Sequence, residues 1–340
     1  MKQYLVKITP QEPYFFGNER SFKFPGDENS GQVNSKYYAK SEKTPAGSTI
    51  MGMLRYVLLP VKKTDFSKYT DEDKRKNAVA VGPESFCFGK EGQSFGLIKE
   101  ISPLFIINGE DFLVPAPFNH KYGEKTYSPF REYKAVKTPD GEYLYTGEYN
   151  SKNGVFSGYM RLSDGKIFED NDIFLFESRN GRNSFMKEDV FFRRQYVGMK
   201  PGFSFGVYAT LEDGAAPENT VVFMGQKKSV FSVSFIPQEN TITEKIGRLL
   251  NPGEIYCFGD SFIKRDIYKD MLFAVVKTRE YRGFSTNYGK VKKEETLYRT
   301  VAAGSIFIPK PGIDAAAIFE NPDARTAGYN IVVSKPEDEQ

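Results

Sequence analysis

The sequence predicts an α+β protein built on antiparallel sheets. Three observations carry this. Short β-branched and aromatic runs recur between Gly, Pro, Asn and Asp; helical patterns are few; and no regular βαβ alternation is present. The 30 Phe and 21 Tyr, with no Trp, fall largely in those short runs.

Taken in chain order, residues 4–8 are the first strand. Residues 44–60 are the best helix: Ile50, Met51, Leu54, Val57 and Leu58 share one apolar face, Ser48 is placed to cap the start, and Pro60 stops the pattern. Residues 118–200 are rich in Gly, Asn, Lys and Arg and hold few core signals, so they read as insertions from a compact sheet. Strands are expected at 203–211, 221–223, 230–236 and 271–277; the 230–236 run alternates as a half-buried strand should. A helix over 241–251 opens with the capping-box spacing Thr241-x-x-Glu244 and closes at Asn251-Pro252-Gly253. A boundary is expected at 237–240, and a short helix at 314–320.

Net charge is only +3, from 47 Lys and Arg against 44 Asp and Glu. The distribution says more. Residues 1–63 carry ten basic and five acidic side chains, and the tail from Gly312 carries two and six. A chain that meets a polyanion with one part only would look like this, and so would ordinary surface variation. Cys87 and Cys257 both sit beside Phe and read as small apolar residues, not as a disulfide. The absence of a signal-like or membrane-spanning apolar run leads to the expectation of a cytoplasmic protein. One histidine, His120, leaves too few ligands for the usual zinc sites, although a carboxylate metal site stays open. Phosphate-binding glycine loops and the nucleophile elbow are missing. No catalytic residue, cofactor or metal is therefore expected.

Four clusters could bind something. Ser48, Gly52 and Arg55 fall in line on the first helix, where a helix start, a side-chain-free position and a guanidinium suit a phosphate. A core helix with a packing glycine and a solvated arginine accounts for the same spacing. Arg179, Arg182 and the 191–196 run Phe-Phe-Arg-Arg-Gln-Tyr interleave cations with rings, as single-stranded nucleic acid requires; an exposed hairpin with solvated charges is the alternative. The stretch Gly225-Gln-Lys-Lys228 is a cationic hairpin turn, and Arg279 to Phe284 with Asn287 to Lys290 has similar character. His120 is the only evident general base, and it lies in a stretch that reads as surface.

Several segments, in order, resemble one family. Thr9-Pro-Gln-Glu-Pro to Arg20-Ser-Phe22, Thr44-Pro-Ala-Gly-Ser to Arg55, Phe112-Leu-Val-Pro-Ala-Pro-Phe118, Phe223-Met-Gly-Gln-Lys-Lys228, Tyr298 to Phe307 and Gly328-Tyr-Asn-Ile-Val-Val333 are similar to motifs of the third Cmr subunit. That family is a type III-B CRISPR RAMP protein of the Cas-five group. Gln226 stands where the family has a second glycine. The resemblance implies two ferredoxin-like (RRM-like) domains, here 1–236 with insertions at about 118–200, and 237–340. It implies a non-catalytic subunit that binds the 5′ repeat-derived tag of the CRISPR RNA. Its neighbours would be the large polymerase/cyclase-type subunit and the backbone RAMP subunit. Carried over by position, Asn18, Arg20, Ser48, Thr49, Arg55, Lys227 and Lys228 would contact the tag, and Arg179, Arg182 and Arg282 join them on charge. Residues 119–137 would project as a β-finger. The type III-A sister family shares several of these features. A RAMP endoribonuclease using His120, or a structural subunit without RNA contact, are the competing readings.

Overall fold

A strand buried on both faces must lie between two apolar layers, and β1 (Lys2–Pro10) is such a strand: Val6 and Ile8 face one core and Leu5 the other. The computed structural model describes residues 1–21, 37–139, 141–149, 152, 154–183, 190–225, 228–263, 267–281, 283–287, 290–293 and 296–335. After β1 come β2 (Phe16–Ser21), β3 (Tyr37–Glu42), α1 (Gly47–Leu58) and α2 (Asp71–Val81). The apolar face of α1 is buried as its spacing predicts, through Ile50, Met51, Leu54 and Val57. The next strands are β4 (Ile98–Ile101), β5 (Phe105–Asn108), β6 (Asp111–Pro115), β7 (Lys134–Thr138), β8 (Gly141–Tyr145), β9 (Gly158–Arg161) and β10 (Ile167–Glu169). Then follow α3 (Asp170–Ile173), β11 (Phe174–Asn183), β12 (Val190–Met199), β13 (Phe203–Leu211), β14 (Thr220–Met224) and β15 (Ser229–Pro237).

Nine of these strands form one sheet, ordered β10-β9-β6-β5-β13-β1-β15-β14, with β4 also on β13. A second sheet has the order β11-β12-β3-β2. Among the described pairs only β3 with β12 runs parallel. One face of the large sheet packs on α1 around Phe205 and Phe231; the other packs on residues beyond 237, including Ile242, Tyr256 and Phe258.

The chain closes with α4 (Ile242–Gly247), β16 (Ile255–Cys257), β17 (Ser261–Phe262), β18 (Met271–Val275), β19 (Thr278–Tyr281), β20 (Phe284–Asn287) and β21 (Lys290–Lys293). Last come β22 (Tyr298–Val301), β23 (Ile306–Pro309), α5 (Ala315–Ile318), α6 (Pro322–Thr326) and β24 (Val332–Ser334). Strands β18, β23, β16 and β24 make a four-stranded sheet, with Phe307 and Phe319 in a separate core. The architecture is thus mixed α and β, with few helices and mostly antiparallel sheets.

Several expectations are corrected. Helix α4 is shorter than 241–251, and its capping box does not form: Asn240 Oδ1, not Thr241, accepts from the Ile242 N–H at 3.1 Å. Residues 118–200 are not poor in core, because β9 and β10 extend the large sheet and Met160, Ile173, Phe174 and Val197 are buried. The finger expected at 119–137 begins only at Lys134, in the β7–β8 hairpin, and β8 leans on β18. Asn119 before it is buried, donating to Glu254 Oε1 at 2.8 Å. Cys257 is buried and its thiol is pushed up to about 12, whereas Cys87 is half-buried; neither is in a disulfide.

His120 is buried, not on the surface. The Ser128 N–H donates to its Nδ1 at 3.2 Å, so Nε2 carries the proton and donates to the Glu124 carbonyl at 3.1 Å. The imidazole staples a loop. Burial holds its pKa below the ordinary value. The unfolded chain therefore takes up the proton first, and this contribution to stability, present above the ordinary histidine range, is lost as pH falls. Urea unfolding of the wild type between about pH 7 and 5 should show a destabilisation that His120→Gln lacks. Buried Glu254, whose pKa burial raises, titrates in the opposite sense in both proteins and cancels in the difference. For the core, Phe231 is fully buried, with Tyr14 at 5.6 Å and Phe16 at 6.0 Å between ring centroids. Phe231→Ala should cost about 3–5 kcal/mol, read as a lower urea midpoint at unchanged slope.

Candidate nucleic-acid interface

The second sheet gathers residues that lie far apart in the chain. In its register Arg179 on β11 stands opposite Arg194 on β12, Arg194 opposite Ala39 on β3, and Ala39 opposite Arg20 on β2. The next row holds Asn180, Arg193, Tyr38 and Ser21. Arg179 and Arg194 are directly opposite, a placement of like charges that costs energy unless other groups offset it. Arg179 has one partner already: its Nε and Nη2 donate to Glu177 at 2.8 and 3.0 Å, holding that carboxyl below its ordinary range. The pair is half in solvent, where such bridges contribute little. The Arg179 guanidinium also lies 4.8 Å over the Tyr196 ring, and that of Arg194 lies 5.8 Å from the Phe15 ring. Arg193 is exposed. Asn18 and Arg182 belong to β2 and β11; their side chains, like that of Arg20, lie outside the described residues.

Four residues separate β3 from α1, and they are pinned. Tyr14 Oη donates to the Lys43 carbonyl at 2.6 Å, and Lys43 Nζ pairs with Asp170 at 2.7 Å. The helix starts at Gly47 with Ala46 in the cap position, so Ser48 is not the cap. A Cβ at Gly47 would stand 2.9 Å from the Ala327 carbonyl oxygen, which excludes any side chain there. The Ser48 N–H donates to Tyr329 Oη at 3.0 Å. Burial pushes the Tyr329 pKa well up, so this acceptor is a neutral phenol. The helix end expected to bind phosphate is thus closed by the chain's own C-terminal region.

Arg55 is corrected in the same way. Its Nε donates to the Val81 carbonyl at 2.8 Å and its Nη2 to that of Gly82 at 3.0 Å, capping the end of α2. It still lines a cleft of about 390 Å³, along with Ser48, Thr49, Gly52, Tyr56 and Tyr281. Tyr281, and the C-terminal wall it supplies, carries no local sequence signal.

The turn at 225–228 joins β14 to β15 as expected. Gly225 has φ +78°, and a Cβ there would meet the Phe15 carbonyl oxygen at 2.5 Å, so only glycine fits. That contact sets the turn against the head of β2. Helix α1 packs on β14, which leads into the turn. Sheet, turn and helix are therefore neighbours along one edge. Lys228 is exposed at φ +53°. Lys227, Gln226 and Arg282 lie outside the described residues. Arg279 is ion-paired with Asp260 at 3.4 Å, a structural role. Among the described residues no group of three or more His, Cys, Asp or Glu could hold a metal, and no helix is long and apolar enough to cross a membrane.

Residues 6–234 match the family model of the CRISPR-associated protein Cas_Cmr3. No curated protein matches the sequence. Among solved structures, the fold is similar to a chain in a cryo-EM structure of the type III-B Cmr-beta bound to cognate target RNA. Identity is 14%, covering 97% of this chain and 96% of that one, with a TM-score of 0.55. A second cryo-EM structure of that assembly, bound to target RNA and AMPPnP in state 1, gives 14% identity, the same coverage and a TM-score of 0.52. Identity this low speaks to fold, whereas the family model spans well over half of the sequence. The chain belongs to the Cas_Cmr3 family of CRISPR-associated proteins.

Proposed function

We propose that this chain is a non-catalytic subunit of a type III-B CRISPR ribonucleoprotein effector complex. In this reading it binds the 5′ repeat-derived tag of the CRISPR RNA and links the large polymerase/cyclase-type subunit to the backbone RAMP subunit. The observation that carries the RNA reading is the register row that brings Arg179, Arg194 and Arg20 from three strands of one sheet together, with exposed Arg193 on the other face of β12 and exposed Lys228 after the β14–β15 turn. Arginines gathered on one register row are what a polyanion neutralises. The half-buried ring of Tyr196, under the Arg179 guanidinium, adds the aromatic component that single strands favour. The structural neighbours come from complexes holding target RNA.

The non-catalytic part is supported by His120, whose two ring nitrogens are both engaged with backbone groups. Contact with other subunits is supported by Val221 and Phe223, which stand 56% and 66% exposed on the edge strand β14. Two ferredoxin-like units meeting near residue 237 also belong to this reading, supported by the separate sheet and core after that point. A cytoplasmic location fits a partner of that kind.

The test is binding of tag-bearing RNA by the full chain, measured by fluorescence anisotropy across salt. Changing Arg193 and Arg194 together to Ala should weaken binding and reduce the slope of log K against log salt by roughly 0.7 per lost phosphate contact. Unchanged affinity and slope would sink the assignment. Stability of the single Arg193→Ala variant should stay within about 0.5 kcal/mol, as for an exposed position. Arg55→Ala is expected to behave differently, costing about 1.5–3 kcal/mol in urea unfolding because two carbonyls at the end of α2 lose a charged donor.

A further inference from the structure

Gly52 has no packing reason to be glycine. It sits at the centre of α1, a 12-residue helix, where glycine is among the poorest helix formers. A Cβ placed there meets nothing within 4 Å beyond its chain neighbours and the backbone of its own helix. Gly47, in the same helix, contrasts with it, since a neighbouring carbonyl oxygen excludes a side chain. What a side chain at Gly52 would enter is the cleft of about 390 Å³. The glycine keeps that space open.

The groups around the space do not suit a phosphate. The Ser48 N–H at the helix start is taken by Tyr329, and two donor nitrogens of Arg55 are committed to the carbonyls of Val81 and Gly82. What remains is planar and half-apolar surface: the rings of Tyr56 and Tyr281 and the immobilised guanidinium of Arg55, over a floor that includes buried Phe86, with the hydroxyl residues Ser48 and Thr49 beside them. Tyr56 is 52% exposed. Rings and guanidinium planes stack on splayed-out bases, and hydroxyls bond to base edges. The volume lies at the small end of the range for small-molecule pockets. We infer that the α1 cleft takes one unstacked nucleobase of the bound RNA, while the phosphates lie on the neighbouring arginine sheet. This rests on the RNA-binding reading and adds where a base is held.

The test fills the cleft without removing a charge. Gly52→Leu improves the helix, so its urea midpoint should equal or exceed that of the wild type; Gly52→Ala adds only a methyl group as a graded control. Anisotropy with the full chain and tag-bearing RNA should show Gly52→Leu binding roughly 5- to 150-fold more weakly, the value of one stacked base. The salt dependence should not change, because no phosphate contact is lost. A set of RNAs, each abasic at one tag position, locates the base. One of them should weaken wild-type binding by a comparable factor and leave Gly52→Leu no weaker than before, the non-additivity of two changes at one contact. Wild-type affinity in Gly52→Leu, or a loss that simply adds to that of every abasic RNA, would overturn the pocket while the arginine variants still report on RNA binding. A wild-type chain that binds no RNA would overturn both readings.

Discussion

The parallel pairing of β3 with β12, from Phe192 opposite Tyr37 to Gln195 opposite Lys40, is the contact on which the candidate interface depends. Without it, β2–β3 and β11–β12 would be two separate hairpins, and isolated two-stranded hairpins are marginal in water. Parallel pairs are slightly weaker per residue and need long connections. The pairing is therefore anchored elsewhere. Ala39 and Val197 are buried within the two strands, Tyr14 bridges to Val197 backbone to backbone, and its hydroxyl holds the Lys43 carbonyl just past β3. These apolar and hydrogen-bonded fixings offset the repulsion between the opposed Arg179 and Arg194.

A second constraint joins the chain's two ends. Tyr329 is 3% exposed, stacks on Phe86 at 5.3 Å, meets Phe88 edge-on at 4.8 Å, and accepts from Ser48 at the start of α1. Tyr281 packs edge-on against the same Phe88 at 4.9 Å. The cleft beside α1 thus has one wall from the N-terminal helix and another from residues beyond 280. Walls fixed by packed rings need little reordering when something enters, which is the favourable case for binding.

What was legible in the sequence was what depends on local period. The alternation in 230–236, the apolar face of the first helix and the glycine turn at 225 all fold as read. Helix α2 was not read because its exposed face is charged; its one signal is the capping box Thr70-x-x-Asp73, which does form, with Asp73 N–H donating to Thr70 Oγ1 at 3.2 Å and Thr70 N–H to Asp73 Oδ2 at 2.8 Å. The candidate site was legible as residue types only. Ser48, Gly52 and Arg55 do line one cleft, but the cap expected of Ser48 and the phosphate contact expected of Arg55 gave way to Tyr329 and to the end of α2. No local pattern could show partners 281 and 26 residues away. His120 read as surface for the same reason: its polar neighbours are local, and the Phe156 ring that buries it is not.

The arrangement separates two tasks that RNA recognition usually divides. Phosphate contacts supply affinity and are indifferent to sequence; contacts to bases fix register. In the proposed reading the arginine row runs across strands, so it would follow a backbone over several nucleotides without fixing where along the strand the RNA stops. A single recessed cleft, such as the one proposed beside α1, would fix that point, because it would admit one base at a time. The short pinned link between β3 and α1 sets the distance from row to cleft, through Lys43 with Asp170 and Tyr14. A longer or looser link would let the strand slip past the cleft with its phosphates still held. In the proposed reading, rigidity in those few residues, more than the number of cations, would turn a basic surface into one that reads position.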